Sequence, residues 1–387
     1  MKRFDDDELH AVTDVIESGE LSRFFSNFNG GKMVRGFEFE FANYLGVQHA
    51  VSVSNGTVAL ELALQAMGVG PKSMVITTPL TFIATATAIK RVGATPVFVD
   101  IDPNTLNIDP DSLENYLECH NTDSDDAVIP VPLFGHPTDM HRIMRIAKKY
   151  KLKVLEDTAQ SLGAEIGYQK LGSFGDCSTF SFQESKNITC LGEGGMIATN
   201  DNILANKARH LRNHGNVYGD TEMSIACTNA RLTEAQAAFG SAQMLKVDRF
   251  NKIHKENALA LIDAIDESKM KCFYSTLGEI SSIFSLIPMY LTDECGLTRE
   301  EFVVACKREG LSKGVPGENV GSYSRLVCDN KTFQYPTYSV QWQGLPVANK
   351  LKEKIIILDL HRWSKTVDDM KQYAETINNI LNRGFVR

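Results

Sequence analysis

The sequence predicts an α/β protein: a three-layer α/β/α unit around a largely parallel sheet, followed by a smaller α+β unit. Three observations carry this. From about residue 48 to 245, short apolar runs alternate with helical patterns, and strands separated by helical stretches of roughly 10–15 residues imply parallel pairing with helices on both faces. Beyond that the alternation gives way to mixed segments. The length of 387 residues corresponds to about two to three domains. The expected division is a large domain over 1–245 and a small one over 246–387.

The elements follow in chain order. Asp6 to Glu17 reads as an amphipathic helix with Leu9, Val12 and Ile16 on one side. Gly30-Gly31 breaks the pattern, and Val34 to Leu45 forms a second helix. Val51 to Ser54 is a strand, then Asn55-Gly56-Thr57 leads into a helix from about Ala59 to Met67. Strands are expected at Val75-Ile76, Thr95–Val99, Val128–Leu133, Lys153–Leu155, Ser178–Phe182 and Met196–Thr199. Helices are expected at Phe82–Arg91, Leu113–Leu117 and Met140–Tyr150. From Arg231 the pattern is helical for some 35 residues, to Ile265. Strand-like Ile283–Leu291 and Ile355–Leu358 and helical Arg299–Glu309 and Val367–Leu381 complete the tail.

Composition excludes several classes. The chain is 43% hydrophobic and 23% charged, as soluble globular proteins are. Forty Lys and Arg against 48 Asp and Glu give a net charge of −8, which speaks against nucleic acid or an anionic membrane as partner. No apolar run approaches the ~20 residues of a membrane span, and the acidic start, Asp5-Asp6-Asp7-Glu8, lacks the apolar core of a signal peptide. Eight scattered cysteines form no Cys-x-x-Cys pair, the pattern of a reduced, cytoplasmic protein with free thiols.

Three stretches carry chemistry. Val154 to Gln160 is an apolar strand ending in Asp157, at the carboxyl edge where open parallel sheets bind ligands. Lys186 follows 29 residues later, five after Ser181 and shortly before Gly192-Glu193-Gly194-Gly195. Ser54-Asn55-Gly56-Thr57 lies between a strand and a helix, where N–H groups and a hydroxyl suit a phosphate. Each alone has a plainer reading: a strand-end cap, a solvated charge, an N-cap. Together they ask for one ligand with a phosphate, a group needing a carboxylate, and a carbonyl that condenses with an amine. Pyridoxal 5′-phosphate has all three.

The order and spacing of these and other motifs resemble the DegT/DnrJ/EryC1/StrS sugar aminotransferase family, which has the aspartate-aminotransferase fold (PLP-transferase fold type I). The resemblance covers nearly the whole chain, through Gly36–Ala42, Ser54–Thr57, Thr78–Ala84, Gly93–Val97, Val131–Gly135, Glu156–Gln160, Phe180–Lys186, Gly192–Gly195, Arg212–Gly215 and Asn229–Ala237. It implies that Lys186 is the Schiff-base lysine and moves a proton during transamination. Asp157 then partners the pyridine nitrogen, Gln160 the ring's 3-hydroxyl oxygen, and Phe82 lies on the ring face. Gly56, Thr57 and Ser181 form the phosphate cradle, and Asn229 is supplied by the other subunit of a homodimer with shared active sites.

The resemblance implies glutamate or glutamine as donor and a keto sugar, foremost a nucleotide-linked one, as acceptor. A keto-cyclitol of scyllo-inosose type is the alternative, because Ser18–Phe24, Gly30-Gly31 and Gln183 resemble that branch. A dehydratase of the family carries His where this chain has Lys186, and a non-catalytic regulator with the same fold has no appended DNA-binding segment to support it. Phe134, where Tyr is frequent, and Asp359, where Pro is frequent, depart from the family, and Ser312–Pro316 matches no motif of it. His214 and His361 are expected to approach the substrate. His210 and His214 are four apart and would share a helix face, but without a third ligand in sequence no metal is expected. His136 and His141 read as loop residues.

Overall fold

The structure is a computed structural model that describes residues 3–24, 26–215, 227–273, 286–311, 320–321, 344–360 and 366–383. Helix α1 (Asp6–Ser18) starts on a capping box in which Asp5 and Glu8 satisfy each other's backbone, and ends on Gly19 at φ 68°. Helix α2 (Lys32–Leu45) has no side-chain cap at its N-terminus. Its first amides are met by Glu234: Gly31 N–H donates to Oε1 at 2.9 Å and Met33 N–H to Oε2 at 2.8 Å. A Cβ at Gly31 would lie 2.5 Å from that carboxylate, which explains the glycine.

The alternating region then folds as β1 (His49–Val53), α3 (Gly56–Ala66), β2 (Met74–Thr77), α4 (Ile83–Arg91), β3 (Thr95–Phe98), α5 (Pro110–Glu118), β4 (Ala127–Ile129), α6 (Met140–Tyr150) and β5 (Lys153–Asp157). It continues with a hairpin of β6 (Glu165–Ile166) and β7 (Gln169–Lys170), then β8 (Cys177–Ser181), β9 (Gly195–Thr199) and α7 (Asn202–Arg212). The large sheet has the order β1-β9-β8-β5-β4-β2-β3. Pairs β2–β3, β2–β4, β4–β5 and β5–β8 are parallel, and β9 runs against both β8 and β1. One reversed strand, β9, therefore sits in an otherwise codirectional sheet, which is the largely parallel sheet expected. Buried apolar side chains pack on both of its faces.

Three local expectations are corrected. The strand expected over Val128–Leu133 ends at Ile129, because Pro130 and Pro132 have no N–H for the ladder; Leu133–Gly135 is a 3₁₀ turn instead. The helix expected to run unbroken to Ile265 is two, α8 (Glu234–Met244) and α9 (Val247–Ala264). At the break Lys246 donates to Asp5 at 2.5 Å and to Glu8 at 2.8 Å, a pull toward α1 that leaves Leu245 exposed. His141 lies on α6 rather than in a loop.

The second sheet is antiparallel, in the order β10-β11-β13-β12: β10 (Met270–Cys272), β11 (Leu286–Leu291), β12 (Val320–Gly321) and β13 (Ile356–Asp359). Helices α10 (Arg299–Arg308), α11 (Pro346–Leu351) and α12 (Val367–Arg383) accompany it. Its core reaches into the first unit, because Leu80, Ile101, Leu106, Leu133 and Phe134 join Ile287, Phe302 and Ile356 in one buried cluster. Asp100 adds a polar tie, accepting from Val347 N–H at 2.8 Å and Ala348 N–H at 2.9 Å. Among the described residues no helix is long and apolar enough to cross a membrane.

Candidate active site

Strand direction assembles the site. Because β1, β2, β4, β5 and β8 share a direction, their carboxyl ends lie along one edge of the sheet. That edge receives Gly56 after β1, Phe82 and Thr85 after β2, the Leu133–Gly135 turn after β4, Asp157 at the end of β5, and Ser181 and Lys186 from β8.

Asp157 is buried. Its Oδ2 accepts the Thr85 hydroxyl at 2.7 Å, and Thr85 is in turn 2.9 Å from Thr81 Oγ1. Its Oδ1 accepts from Ala159 N–H at 3.3 Å. Burial pushes the carboxyl above its ordinary range, while Thr85, Ala159 and the Lys186 charge pull it down. Glu156, on the opposite face of the same strand, does structural work. It accepts from Gly172, Phe174 and Gly175 N–H groups at 2.8 Å each, and burial still pushes it up to about 7.

Lys186 stands in a loop between β8 and β9. Its N–H donates to Gln183 O at 2.8 Å, closing a turn. Gln183 Oε1 accepts from Ser185 N–H at 2.7 Å and Ser185 Oγ at 2.6 Å, so this glutamine caps its own turn. Burial lowers the Lys186 amine from 10.5 to about 8, against the opposing charges of Asp157 and Glu193.

The glycines mark close approaches. A Cβ on Gly56 would lie 2.7 Å from Ser181 Cβ, and one on Gly195 would lie 2.5 Å from Asn55 O. The start of α3 is thus pressed against β8 and β9, with Asn55 Oδ1 capping Val58 N–H at 2.9 Å. Gln160 is buried, and its Oε1 accepts Phe134 N–H at 3.0 Å. Phe134 itself has φ 57°, a left-handed backbone unusual for an aromatic residue. Phe82, the residue before α4, is 36% exposed although Leu80 and Thr81 before it are buried.

These observations fit pyridoxal phosphate: a buried carboxylate for a ring nitrogen, a partly neutral amine for a carbonyl, and a helix start pared to glycine where a phosphate needs N–H groups. Ser54 N–H donates to Ala230 O at 2.9 Å, which sets the segment after Asn229 beside the start of α3. Asn229 is exposed, and its Oδ1 accepts from Arg231 Nε at 2.7 Å. His214 lies past the end of α7 at φ 60°, exposed, so it shares no helix face with His210. The helix breaks there because His214 N–H turns to Thr228 O at 3.0 Å. His361 falls outside the described residues. Among the described residues no three His, Cys, Asp or Glu side chains converge on a metal position. Sequence reading missed Thr85, whose only signal is a threonine pair at i and i+4 at the start of a helix.

Comparison with known proteins decides the family. The profile of the DegT/DnrJ/EryC1/StrS aminotransferase family matches residues 2–377. The chain belongs to this family of pyridoxal-phosphate enzymes. It is 43% identical over 247 residues to the GDP-perosamine synthase of Caulobacter vibrioides, covering 64% of each chain. It is 37% identical over 272 residues to the L-glutamine:2-deoxy-scyllo-inosose aminotransferase of Streptomyces kanamyceticus, covering 67% of this chain and 62% of that one. The chain therefore spans somewhat less than two thirds of either relative's length. The fold is that of the aminotransferase from Psychrobacter cryohalolentis, with TM-score 0.84, 29% identity and 98% of both chains covered.

Proposed function

We propose that the protein is an aminotransferase that moves an amino group from glutamate or glutamine to a nucleotide-linked keto sugar, in the cytoplasm, for amino-sugar biosynthesis. One observation carries the reading: an amine lowered to about 8 and a buried carboxylate stand at one sheet edge, each acting on the other's charge. Pyridoxal phosphate, when bound, supplies a ring that condenses with amines and takes up the electrons left by a departing proton. The chain's residues do the rest. Asp157 keeps the pyridine nitrogen protonated, Gln160 bonds the 3-hydroxyl oxygen, and Phe82 covers the ring face. Gly56, Thr57 and Ser181 take the phosphate. With the cofactor bound, Lys186 would hold it at rest and would be the base that takes the proton from the donor's α-carbon and returns it at C4′. With its pKa at about 8, roughly a tenth of the free amine is neutral at pH 7.

The same reading makes the protein a homodimer, in which Asn229 of the partner subunit completes the phosphate site. Residues 1–245 and 246–387 act as its two domains. His214 and His361 are the candidate substrate contacts.

The sugar substrate is favoured by the Caulobacter relative, whose name is that of a GDP-sugar enzyme. A keto-cyclitol is the second reading, favoured by the Streptomyces relative named for an inosose. The test loads the enzyme with the amino form of the cofactor and offers nucleotide-linked keto sugars and keto-inositols in turn. Amine formation on the nucleotide sugars is expected. Amination of the keto-inositols alone establishes the second reading, and amination of neither class contradicts both.

A further inference from the structure

The N-terminal arm reaches the lysine loop. Arg3 Nη2 donates to Lys186 O at 2.7 Å, and Nη1 donates to Glu184 O. One guanidinium therefore bridges two carbonyls of the turn whose other side is closed by Lys186 N–H on Gln183 O. A planar fork does this well, whereas an ammonium is a single point charge. Burial lowers Arg3 to about 10, so it stays charged at neutral pH.

The arm is itself pinned to α8. Gln243 Nε2 donates to Arg3 O at 3.3 Å and to buried Glu8 at 2.5 Å. Phe4 meets Phe239 edge-on, with ring centroids 5.4 Å apart. Lys246 closes the cluster on Asp5 and Glu8. From the other end of α8, Gln236 Nε2 donates to Glu193 O at 2.9 Å, on the far limb of the same loop. Helix α8 thus braces the Lys186 loop at two points, once directly and once through the arm.

We propose that the N-terminal arm is a strap on the Lys186 loop, with Arg3 as a positioning residue that fixes where the Lys186 amine stands. The proposal rests on the reading of Lys186 as the cofactor-bearing lysine. Arg3 touches no reacting atom. It acts by holding the lysine's own backbone, so its loss affects the amine's alignment rather than the phosphate or ring contacts.

The test uses the full-length protein stripped of cofactor. The rate at which added pyridoxal phosphate becomes linked to the protein in a borohydride-stable form is compared for wild type, Arg3→Ala, Arg3→Lys and Lys186→Ala. Hydrogen exchange of the 183–187 peptide is read in parallel without cofactor. Loss of two charge-assisted bonds should slow linkage about tenfold or more in Arg3→Ala. Arg3→Lys should recover only part of the rate, and guanidinium ion added to Arg3→Ala should restore it toward wild type. Exchange of 183–187 should speed up in Arg3→Ala while the thermal midpoint stays near wild type. A wild-type linkage rate and unchanged exchange in Arg3→Ala overturn the strap, with the Lys186 reading intact. Wild-type linkage that persists in Lys186→Ala overturns the Lys186 reading, and the strap's role in catalysis with it. Slow linkage that guanidinium does not rescue, with a lowered thermal midpoint, overturns positioning in favour of folding.

Discussion

The Thr85 hydroxyl donates to Asp157 Oδ2 at 2.7 Å across 72 residues of sequence. The bond favours the ionised carboxylate that burial opposes, which is the form a protonated ring nitrogen needs as partner. Hydrogen bonds to charged groups contribute about 1.5–3 kcal/mol, so Thr85→Val should weaken cofactor binding by roughly ten- to a hundredfold. Thr85→Ser keeps the donor and should stay close to wild type. Spectrophotometric titration of the stripped protein with pyridoxal phosphate measures both, and equal affinities for Val and Ser would remove the hydroxyl from the account.

The Lys186 amine gives a pH dependence with a definite sign. In the cofactor-free protein its reaction with an acylating reagent should rise with pH around about 8, rather than around 10.5. The Asp157 charge raises this value, so Asp157→Asn should move the midpoint lower still. Peptide-resolved labelling across a pH series reads this directly, and a midpoint that stays put or climbs contradicts the pairing. The same shift acts on stability: between the folded and unfolded values the unfolded chain binds more protons, so this group's contribution grows as pH rises through that window.

Gly56 has no room for a side chain. Its Cβ would sit 2.7 Å from Ser181 Cβ, and overpacking of this kind typically costs about 1–3 kcal/mol. Gly56→Ala should lower the unfolding midpoint and weaken binding of pyridoxal phosphate more than binding of the dephosphorylated aldehyde. Adding Ser181→Gly should recover stability without recovering phosphate affinity. Calorimetry and paired ligand titrations test the two halves separately.

Much of this architecture is legible in the sequence because it is local. The strands of the large sheet announce themselves as short apolar runs, and Asp157 stands out by its place at a strand end, whereas Lys186, in a loop, gains meaning only in combination with it. What is not legible is carried by contacts between distant segments. Arg3 meets Lys186 across 183 positions and Thr85 meets Asp157 across 72, and no periodicity encodes either. The apolar pattern runs on through Leu245, and the break there comes from Lys246 turning to Glu8 on α1. Helix α7 escapes notice because only Ala205, Ala208, Leu211 and Arg212 of it are buried, a faint stripe among polar residues.

Asn229 is exposed on its own chain, as a residue donated to a second subunit must be. Mixing inactive Lys186→Ala and Asn229→Ala proteins should restore activity, since each mixed dimer holds one site with both residues intact. Up to about a quarter of wild-type activity is expected from random assortment, half the dimers being mixed with one good site each. A mixture no more active than its parents argues against a shared site.

The most direct measurement is to reduce the cofactor-bound enzyme with borohydride, digest it and map the labelled peptide by mass spectrometry. The phosphopyridoxyl group should be found on Lys186, with none in Lys186→Ala. Label on any other lysine, or a bound cofactor that leaves Lys186 unmodified, contradicts Lys186 as the cofactor-bearing lysine.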